Sequence, residues 1–316
     1  MKRYLLVLLT GILCLSLSAQ DRIDVLSLSG RFGIPKEYKG IGISGEATEW
    51  GSLNSFTFGK DIIENTKFVI NLNHFYFNVQ GDPVDDQGNP AFPVTMAHPL
   101  KLNGIIIRTG IQQNLGNGRI LQALVAPRLM SDFKNMDANS FMFGGVLSYK
   151  KKFRDELSIG FGAMYNTELF GPYMVPILDL YWKPAVKWTI WGMIPITARI
   201  EYAATDGMTV GFNHFGLITT YALGHEDYAG DYIERQSIDL SLFLRQRIGG
   251  PIFVEAMAGR ALGRKYVQYA GDQKVDFGIP LVMFGDERVV KNNLDTGFGD
   301  GLIFTLKLIV NVKIPE

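Results

Sequence analysis

Cysteine is almost absent from this sequence, since the only one is Cys14, near the amino terminus. Around it lie a positive head at residues 2–3, an apolar run and then the small residue Ala19, which together predict a secretory signal peptide over residues 1–19. The apolar run is shorter than the ~20 residues of a membrane-spanning helix, so an uncleaved anchor is the weaker alternative. The mature chain, residues 20–316, then has no disulfide, thiolate metal site or cysteine nucleophile.

Long apolar runs and an excess of charge are also missing from the rest of the chain. No stretch after the signal could form a transmembrane helix, although 47% of the residues are hydrophobic and 12% aromatic. A high hydrophobic content without long apolar runs is typical of a membrane β-barrel, in which only alternate residues face lipid. Lys plus Arg and Asp plus Glu both number 31, so the chain has no excess of positive charge that would attract a phosphate backbone. We therefore expect no nucleic-acid partner.

Catalytic and cofactor motifs are the third absence. The sequence has no HExxH motif, P-loop or dinucleotide fingerprint. The four histidines are His74, His98, His214 and His225. No nucleophile signature accompanies them, and His225, beside Glu226 and Asp227, is best interpreted as a solvated loop residue. We predict no enzymatic activity, no metal and no cofactor; a rim enzyme acting on lipid or peptide, the alternative, would need a Ser or Asp next to His74 or His214.

A strict alternation of apolar and polar residues is present at the carboxyl end. From Leu302 to Ile314 every even position is apolar, whereas the odd positions include Lys307 and Asn311. This period of two predicts a strand, and its length exceeds the ~5–6 residues usual in globular domains. We expect a barrel strand whose even positions face lipid. A soluble β-sandwich, the rival fold, would bury them against a second sheet.

Similar segments, bounded by Gly, Pro, Asn or Asp, recur upstream. The strand candidates are residues 23–34, 40–48, 66–79, 99–110, 121–129, 139–152, 156–166, 174–183, 194–202, 208–222, 238–245 and 252–258. Because bacterial barrels close with an even number of antiparallel strands, we predict an all-β fold, a single closed antiparallel transmembrane β-barrel of about 12 strands, with 10 or 14 as alternatives. Short turns such as 114–118 and 183–185 and long polar loops such as 81–98, 224–234 and 271–293 would lie at opposite ends.

One region carries a family resemblance. Residues 175–182 (Val-Pro-Ile-Leu-Asp-Leu-Tyr-Trp) and 187–195 (Lys-Trp-Thr-Ile-Trp-Gly-Met-Ile-Pro) form a proline-led strand with an aromatic end, a short turn around Trp188 and a second strand that ends in proline. Here, and less clearly over 237–263, the chain resembles a family of Gram-negative outer-membrane β-barrel proteins known only as a domain of unknown function. The resemblance implies a barrel in the cell outer membrane, but no catalytic or binding residues.

The expected partners follow from this location: outer-membrane lipid, the barrel insertion machinery and small solutes. The chain departs from many barrels at its carboxyl terminus, where Ile314-Pro315-Glu316 replaces the final aromatic residue that the insertion machinery reads. Aromatic residues near the predicted strand ends predict interfacial girdles. They are Phe75, Tyr76, Phe77, Tyr181, Trp182, Trp188, Trp191, Phe212 and Phe215. A ligand-stacking platform at Trp188 and Trp191 is the alternative.

Charged residues fall on the strand face opposite to the apolar one, so we expect them to line the lumen. They are Arg108, Arg128, Asp179, Arg199, Glu201, Asp239, Arg245, Arg247, Glu255 and Lys307. One hypothesis is a porin-like transport barrel whose charge-lined lumen selects small solutes by sign. The other is a closed structural or interaction barrel, in which the two signs pair and block the lumen.

Overall fold

The computed structural model describes residues 22–37, 43–81, 84–85, 87–89, 100–293 and 301–313. The predicted signal peptide, His98 and the carboxyl-terminal residues 314–316 lie outside these residues, so the predictions made for them remain predictions.

In the described part of the chain, fourteen strands form one closed wall. They are β1 (Arg22–Gly33), β2 (Glu46–Ile63), β3 (Thr66–Gly81), β4 (Leu100–Asn114), β5 (Arg119–Val125 and Arg128–Ser131), β6 (Phe141–Met142 and Gly144–Arg154), β7 (Leu157–Glu168), β8 (Gly171–Ala185), β9 (Trp188–Ile194), β10 (Thr197–Ala203), β11 (Met208–Ala222), β12 (Tyr232–Gly249), β13 (Ile252–Tyr269) and β14 (Gly301–Lys313). β5 is interrupted at Pro127, which has no N–H to donate to a neighbouring strand.

Each strand pairs antiparallel with its neighbours in the chain, and β1 pairs with β14 along its whole length, from Arg22 opposite Lys313 to Gly33 opposite Ile303. The all-β closed antiparallel barrel is confirmed. The count of about 12 strands is wrong, and the alternative of 14 is correct. The predicted strand 194–202 merged parts of two strands, because Ile194 ends β9 and Thr197 begins β10 after a tight turn at Pro195. The polar β2 was missed beyond residue 48.

The last strand shows which face is outside. Leu302 and Leu306 are 52% and 60% exposed, whereas Ile303 and Ile309 are 2% and 1% exposed and lie inside. Large apolar residues are exposed in the same way on neighbouring strands, including Leu28 of β1 and Leu242 of β12. A β-sandwich is therefore excluded, since it would bury the even positions of β14.

Connections of two kinds separate the two ends of the barrel. At one end, where β1 begins and β14 ends, the turns are short, and the turn predicted at 183–185 lies at 186–187. The opposite end has the long loops. Within them lie the short strands Lys36–Glu37, Ile43–Ser44, Val84–Asp85, Phe277–Ile279, Val282–Phe284 and Asn292–Asn293 and the 3-10 helices Ala138–Ser140 and Glu226–Tyr228. Neither described helix has the length or apolarity to cross a membrane.

The interior at the long-loop end is filled by apolar side chains. Phe77, Leu100, Leu102 and Met130 are 0–1% exposed, and Tyr221 of β11 packs into the same cluster. Close packing of this kind leaves little room for solvent. Phe75 and Phe77, expected in an aromatic girdle, therefore point inward, whereas Trp182 and Trp188 are exposed, as a girdle requires.

Candidate functional site

The lumen contains a cavity of about 1190 Å³. It reaches the short turns, where it is lined by Val186, Thr205 and Asp206, and extends along the inward faces of the strands. Eight of the ten predicted lumen residues line it: Arg108, Arg128, Arg199, Glu201, Asp239, Arg245, Arg247 and Lys307. A volume of this size accommodates a small organic molecule.

The other two predicted residues lie inside the barrel but away from the cavity surface. Glu255 is fully buried beneath Arg199 and Arg245. Asp179 is half-buried on β8, where its Oδ1 accepts a hydrogen bond of 2.9 Å from Lys150 Nζ on β6. Both carboxylates are therefore engaged by cations instead of facing a solute.

Glu255 holds together one of the ion clusters in the lumen. Its Oε2 accepts hydrogen bonds from Arg199 Nη2 at 2.7 Å and from Arg245 Nε at 2.8 Å, and Lys307 Nζ lies 3.4 Å from its Oε1. Arg245 also donates to Asp24 Oδ2 at 2.9 Å. The cluster joins β1, β10, β12, β13 and β14 across the lumen, so a buried carboxylate is compensated by several cations.

A second cluster surrounds Glu49 and was not predicted. Glu49 is 0% exposed; its carboxylate accepts hydrogen bonds from Arg31 Nε at 2.9 Å, from Arg235 Nη2 and Arg264 Nη1 at 3.4 Å each, and from the Tyr266 hydroxyl. Arg31 also donates to Asp239, so that carboxylate belongs to this cluster as well.

The sequence signal for this second cluster was incomplete. Glu49 lies one residue beyond the predicted strand 40–48, and Arg235 and Arg264 lie outside the alternating segments 238–245 and 252–258. Extending the alternation along β12 would have placed Arg235 on the same face as Asp239.

A third cluster connects strands that are not neighbours in the wall. Arg128 of β5 donates from Nη1 to Glu168 Oε1 of β7 at 2.6 Å and from Nη2 to Thr219 Oγ1 of β11 at 2.7 Å. The other oxygen of Glu168 accepts from the Thr220 backbone N–H at 2.9 Å and from its hydroxyl at 2.8 Å. These bonds hold the upper part of β11 against β5 and β7, below the long loops.

Two cations of the predicted lumen set are not neutralised by a carboxylate. Arg108 Nη1 donates to Asn71 Oδ1 at 3.2 Å, and the Arg247 guanidinium lies 5.2 Å from the Phe253 ring centre. Among the described residues, neither forms an ion pair. Because both line the cavity, they leave it with exposed positive charge.

The three described histidines show no catalytic arrangement. His74 contacts Asn54, His225 lies 3.3 Å from Asp227 in an exposed loop, and His214 lines the cavity. No group of metal-ligating side chains occurs in the described residues. The non-enzymatic assignment stays a prediction.

Comparisons with solved structures return other β-barrels at low similarity. An outer membrane channel from Pseudomonas putida F1 is 8% identical, with 92% of this chain and 96% of that chain covered and a TM-score of 0.44. The translocator domain of the autotransporter NalP from Neisseria meningitidis is 9% identical, with 99% and 94% covered and a TM-score of 0.35. No curated protein matches the chain.

The family comparison agrees with the resemblance found at residues 175–195. The model of the domain of unknown function DUF6268 matches residues 113–275, a range that begins at the end of β4 and extends past β13. This range includes the short strands β9 and β10 and the strands on both sides of them. Since this match covers more than half of the sequence, the chain belongs to the DUF6268 family.

Proposed function

We propose that the protein is a transport barrel of the Gram-negative outer membrane that passes small solutes through the lumen cavity. The observation that carries the proposal is the cavity of about 1190 Å³, which reaches the short turns and is lined by charged side chains. In such barrels the short turns face the periplasm, so the cavity would open on that side.

The outer surface supports the membrane location. Leu242 and Leu244 of β12 and Leu302, Phe304 and Leu306 of β14 are 45–70% exposed. Exposing so much apolar surface to water would be unfavourable, whereas contact with hydrocarbon makes it stabilising. The predicted signal peptide supplies the export that this location requires.

The charge of the lumen supports a preference for anions. Most ionic groups are paired in the three clusters. Among the described residues that line the cavity, Lys187 and Asp206 near the short turns are also unpaired but have opposite charges, so selectivity depends on Arg108 and Arg247. In the low dielectric environment of a barrel, an unpaired cation attracts anions and repels cations more strongly than in water.

The test is solute flux and reversal potential in vesicles and planar bilayers containing the purified mature chain, after heat-modifiable gel migration has shown that it is folded. We expect small solutes to pass, with anions preferred, and the anion to cation permeability ratio to fall in Arg108→Gln and Arg247→Gln. Arg154→Gln, which removes an exposed charge at the short-turn end outside the cavity, is the matched control.

A closed structural barrel is the second candidate, and a specific observation favours it. The apolar cluster around Phe77, Leu102 and Tyr221 fills the lumen at the long-loop end. A folded barrel that passes no solute in either assay would contradict the transport proposal and support the closed barrel.

A further inference from the structure

The barrel wall has a gap between β8 and β11. Each of these strands has fifteen residues, whereas β9 and β10, which lie between them, have seven each. β9 pairs with β8 only from Leu178 towards the short turns, and β10 pairs with β11 only up to Phe215. Residues 171–177 and 216–218 therefore border a part of the wall without β9 or β10. Beyond them the gap ends where the Leu169 N–H donates to Thr220 Oγ1 at 2.8 Å.

The cavity passes through this gap. It is lined by Asn213 and Leu217 on the inward face of β11, and by His214, Gly216 and Ile218 on its outward face. Successive residues of a strand point to opposite faces, so a continuous space that touches both faces must go round the edge of the strand. On the outward side the cavity also reaches Ile238 of β12, which pairs with Gly216, whereas Asp239 lines it from the inside.

A hairpin from the last long loop covers the gap. Its strands Phe277–Ile279 and Val282–Phe284 pair with each other, and Gly278 pairs with Tyr173 on the free edge of β8. The hairpin is apolar and exposed, since Leu281 at its tip is 82% and Phe284 at its base 50% exposed. An apolar tip on the outer surface of a membrane barrel is stable in contact with hydrocarbon.

Arg288 is one of the residues that anchor this hairpin to the barrel. Arg288 donates to Glu234 Oε2 of β12 at 2.7 Å and to the two oxygens of Asp286 at 2.8 and 2.9 Å. Its guanidinium lies 4.4 Å from the centre of the Tyr269 ring. The hairpin is thus held at its base, while its tip, Pro280 and Leu281, borders the cavity.

The lining of the gap is mainly apolar. Its apolar residues are Val175, Pro195, Ile196, Leu217, Ile218, Pro280 and Leu281, and His214 is a polar one. The cluster around Glu255 lies towards the short turns, whereas Glu168 bonds to Thr219 and Thr220 at the end of the gap and is neutralised there by Arg128. Because an ion without a partner is strongly disfavoured in apolar surroundings, this passage favours apolar molecules over ions.

We propose that this opening, the side portal bordered by residues 171–177, residues 216–218 and the hairpin Phe277–Phe284, connects the lumen with the surrounding hydrocarbon and admits small, mainly apolar molecules. The proposal rests on the proposed transport function, and it adds a further class of molecule, besides small anions, and its route. Apolar molecules would enter or leave the cavity sideways, because the apolar cluster fills the long-loop end.

The test follows an apolar probe into the cavity. The variant keeps Trp191, which lines the cavity, and has phenylalanine in place of the other three tryptophans. 1-Bromonaphthalene is dissolved in the vesicle bilayer, and quenching of Trp191 fluorescence reports that it has reached the cavity from the hydrocarbon. Iodide, which is water-soluble, reports access from the short-turn end. Heat-modifiable gel migration confirms that each variant is folded.

Gly216→Phe places a large side chain in the side portal and should slow quenching by bromonaphthalene by about tenfold. The rest of the barrel wall is close-packed, so the probe has no other route from the hydrocarbon to the cavity. The Cβ of residue 216 would lie 3.3 Å from the Pro195 carbonyl oxygen, so the new ring has to point away from Pro195. Gly30→Phe, at an outward glycine of β1 that has open space around it and lies outside the cavity lining, should leave the rate unchanged. Iodide quenching should be the same in both variants.

A second variant tests the hairpin without filling the passage. Tyr173→Cys/Gly278→Cys joins neighbouring strands at a separation that a disulfide spans, in a mature chain that has no cysteine of its own. Oxidation should slow quenching by bromonaphthalene, and reduction should restore it.

The side portal would be overturned if bromonaphthalene quenched Trp191 at an unchanged rate in Gly216→Phe and in the oxidised Tyr173→Cys/Gly278→Cys variant while iodide still quenched it. The cavity and its transport role would then remain in place. Absence of iodide quenching in every variant would instead overturn the proposed function, because the cavity would then be closed to water.

Discussion

Removing the charge of Glu49 should destabilise the barrel strongly. Its carboxylate is 0% exposed and compensates Arg31, Arg235 and Arg264, all of which are buried. In Glu49→Gln, Arg31 keeps Asp239, but Arg235 and Arg264 lose the carboxylate between them. Breaking a buried ion pair by removing one partner costs about 3–5 kcal/mol, because the remaining charge stays out of water.

The expected effect is large enough to measure by urea unfolding in detergent micelles, followed by tryptophan fluorescence and by gel migration. With an m-value of about 3 kcal/mol/M, the midpoint should fall by about 1–1.7 M. Tyr266→Phe removes one hydrogen bond to the same carboxylate and should cost less, about 1.5–3 kcal/mol.

The matched control is Glu46→Gln, an exposed residue on the same strand, which should shift the midpoint little. If Glu49→Gln unfolds at the same urea concentration as Glu46→Gln, the reasoning is refuted, and the buried cluster contributes no net stability relative to a neutral network.

Two further predictions concern the outer surface and the hairpin anchor. Leu306→Arg, in the middle of β14, should cost about 2–4 kcal/mol in lipid vesicles, whereas Ile248→Arg, next to a short turn, should cost about 0–1 kcal/mol; equal unfolding midpoints would contradict a lipid-facing wall. In the long loop, hydrogen bonds from Arg288 hold the pKa of Asp286 below its ordinary value, so its stabilising contribution is complete at neutral pH and is lost as the pH falls through that lowered pKa. The rate of proteolysis of the hairpin should therefore be higher in acid than at neutral pH. In an Asp286→Asn variant the rate should be the same in acid and at neutral pH.

Strand periodicity allowed much of the fold to be predicted from the chain alone. The alternation of β14 and of β12 defined the lipid and lumen faces, because the side-chain period of a strand does not depend on its neighbours. Boundaries were less accurate at Ile194 and beyond residue 48, where a tight turn and a polar strand gave weak apolar signals. The strand count of about 12 was wrong for this reason.

The candidate site was predicted only in part. Arg108, Arg199 and Lys307 could be assigned to the lumen from strand parity, and they line the cavity. Their pairing could not be predicted, since Arg199 meets Glu255 from a strand 56 residues away and Arg31 meets Asp239 at a separation of 208 residues. Such contacts depend on the register of strands around a closed barrel.

By itself, the sequence determined the all-β class and the division of each strand into an apolar and a polar face, because both follow from local alternation. Only the tertiary structure decided which charges neutralise one another, where the lumen is filled and where the wall is open. The short strands β9 and β10 leave a gap only because β8 and β11 extend beyond them, and this depends on how the strands are aligned in the closed barrel.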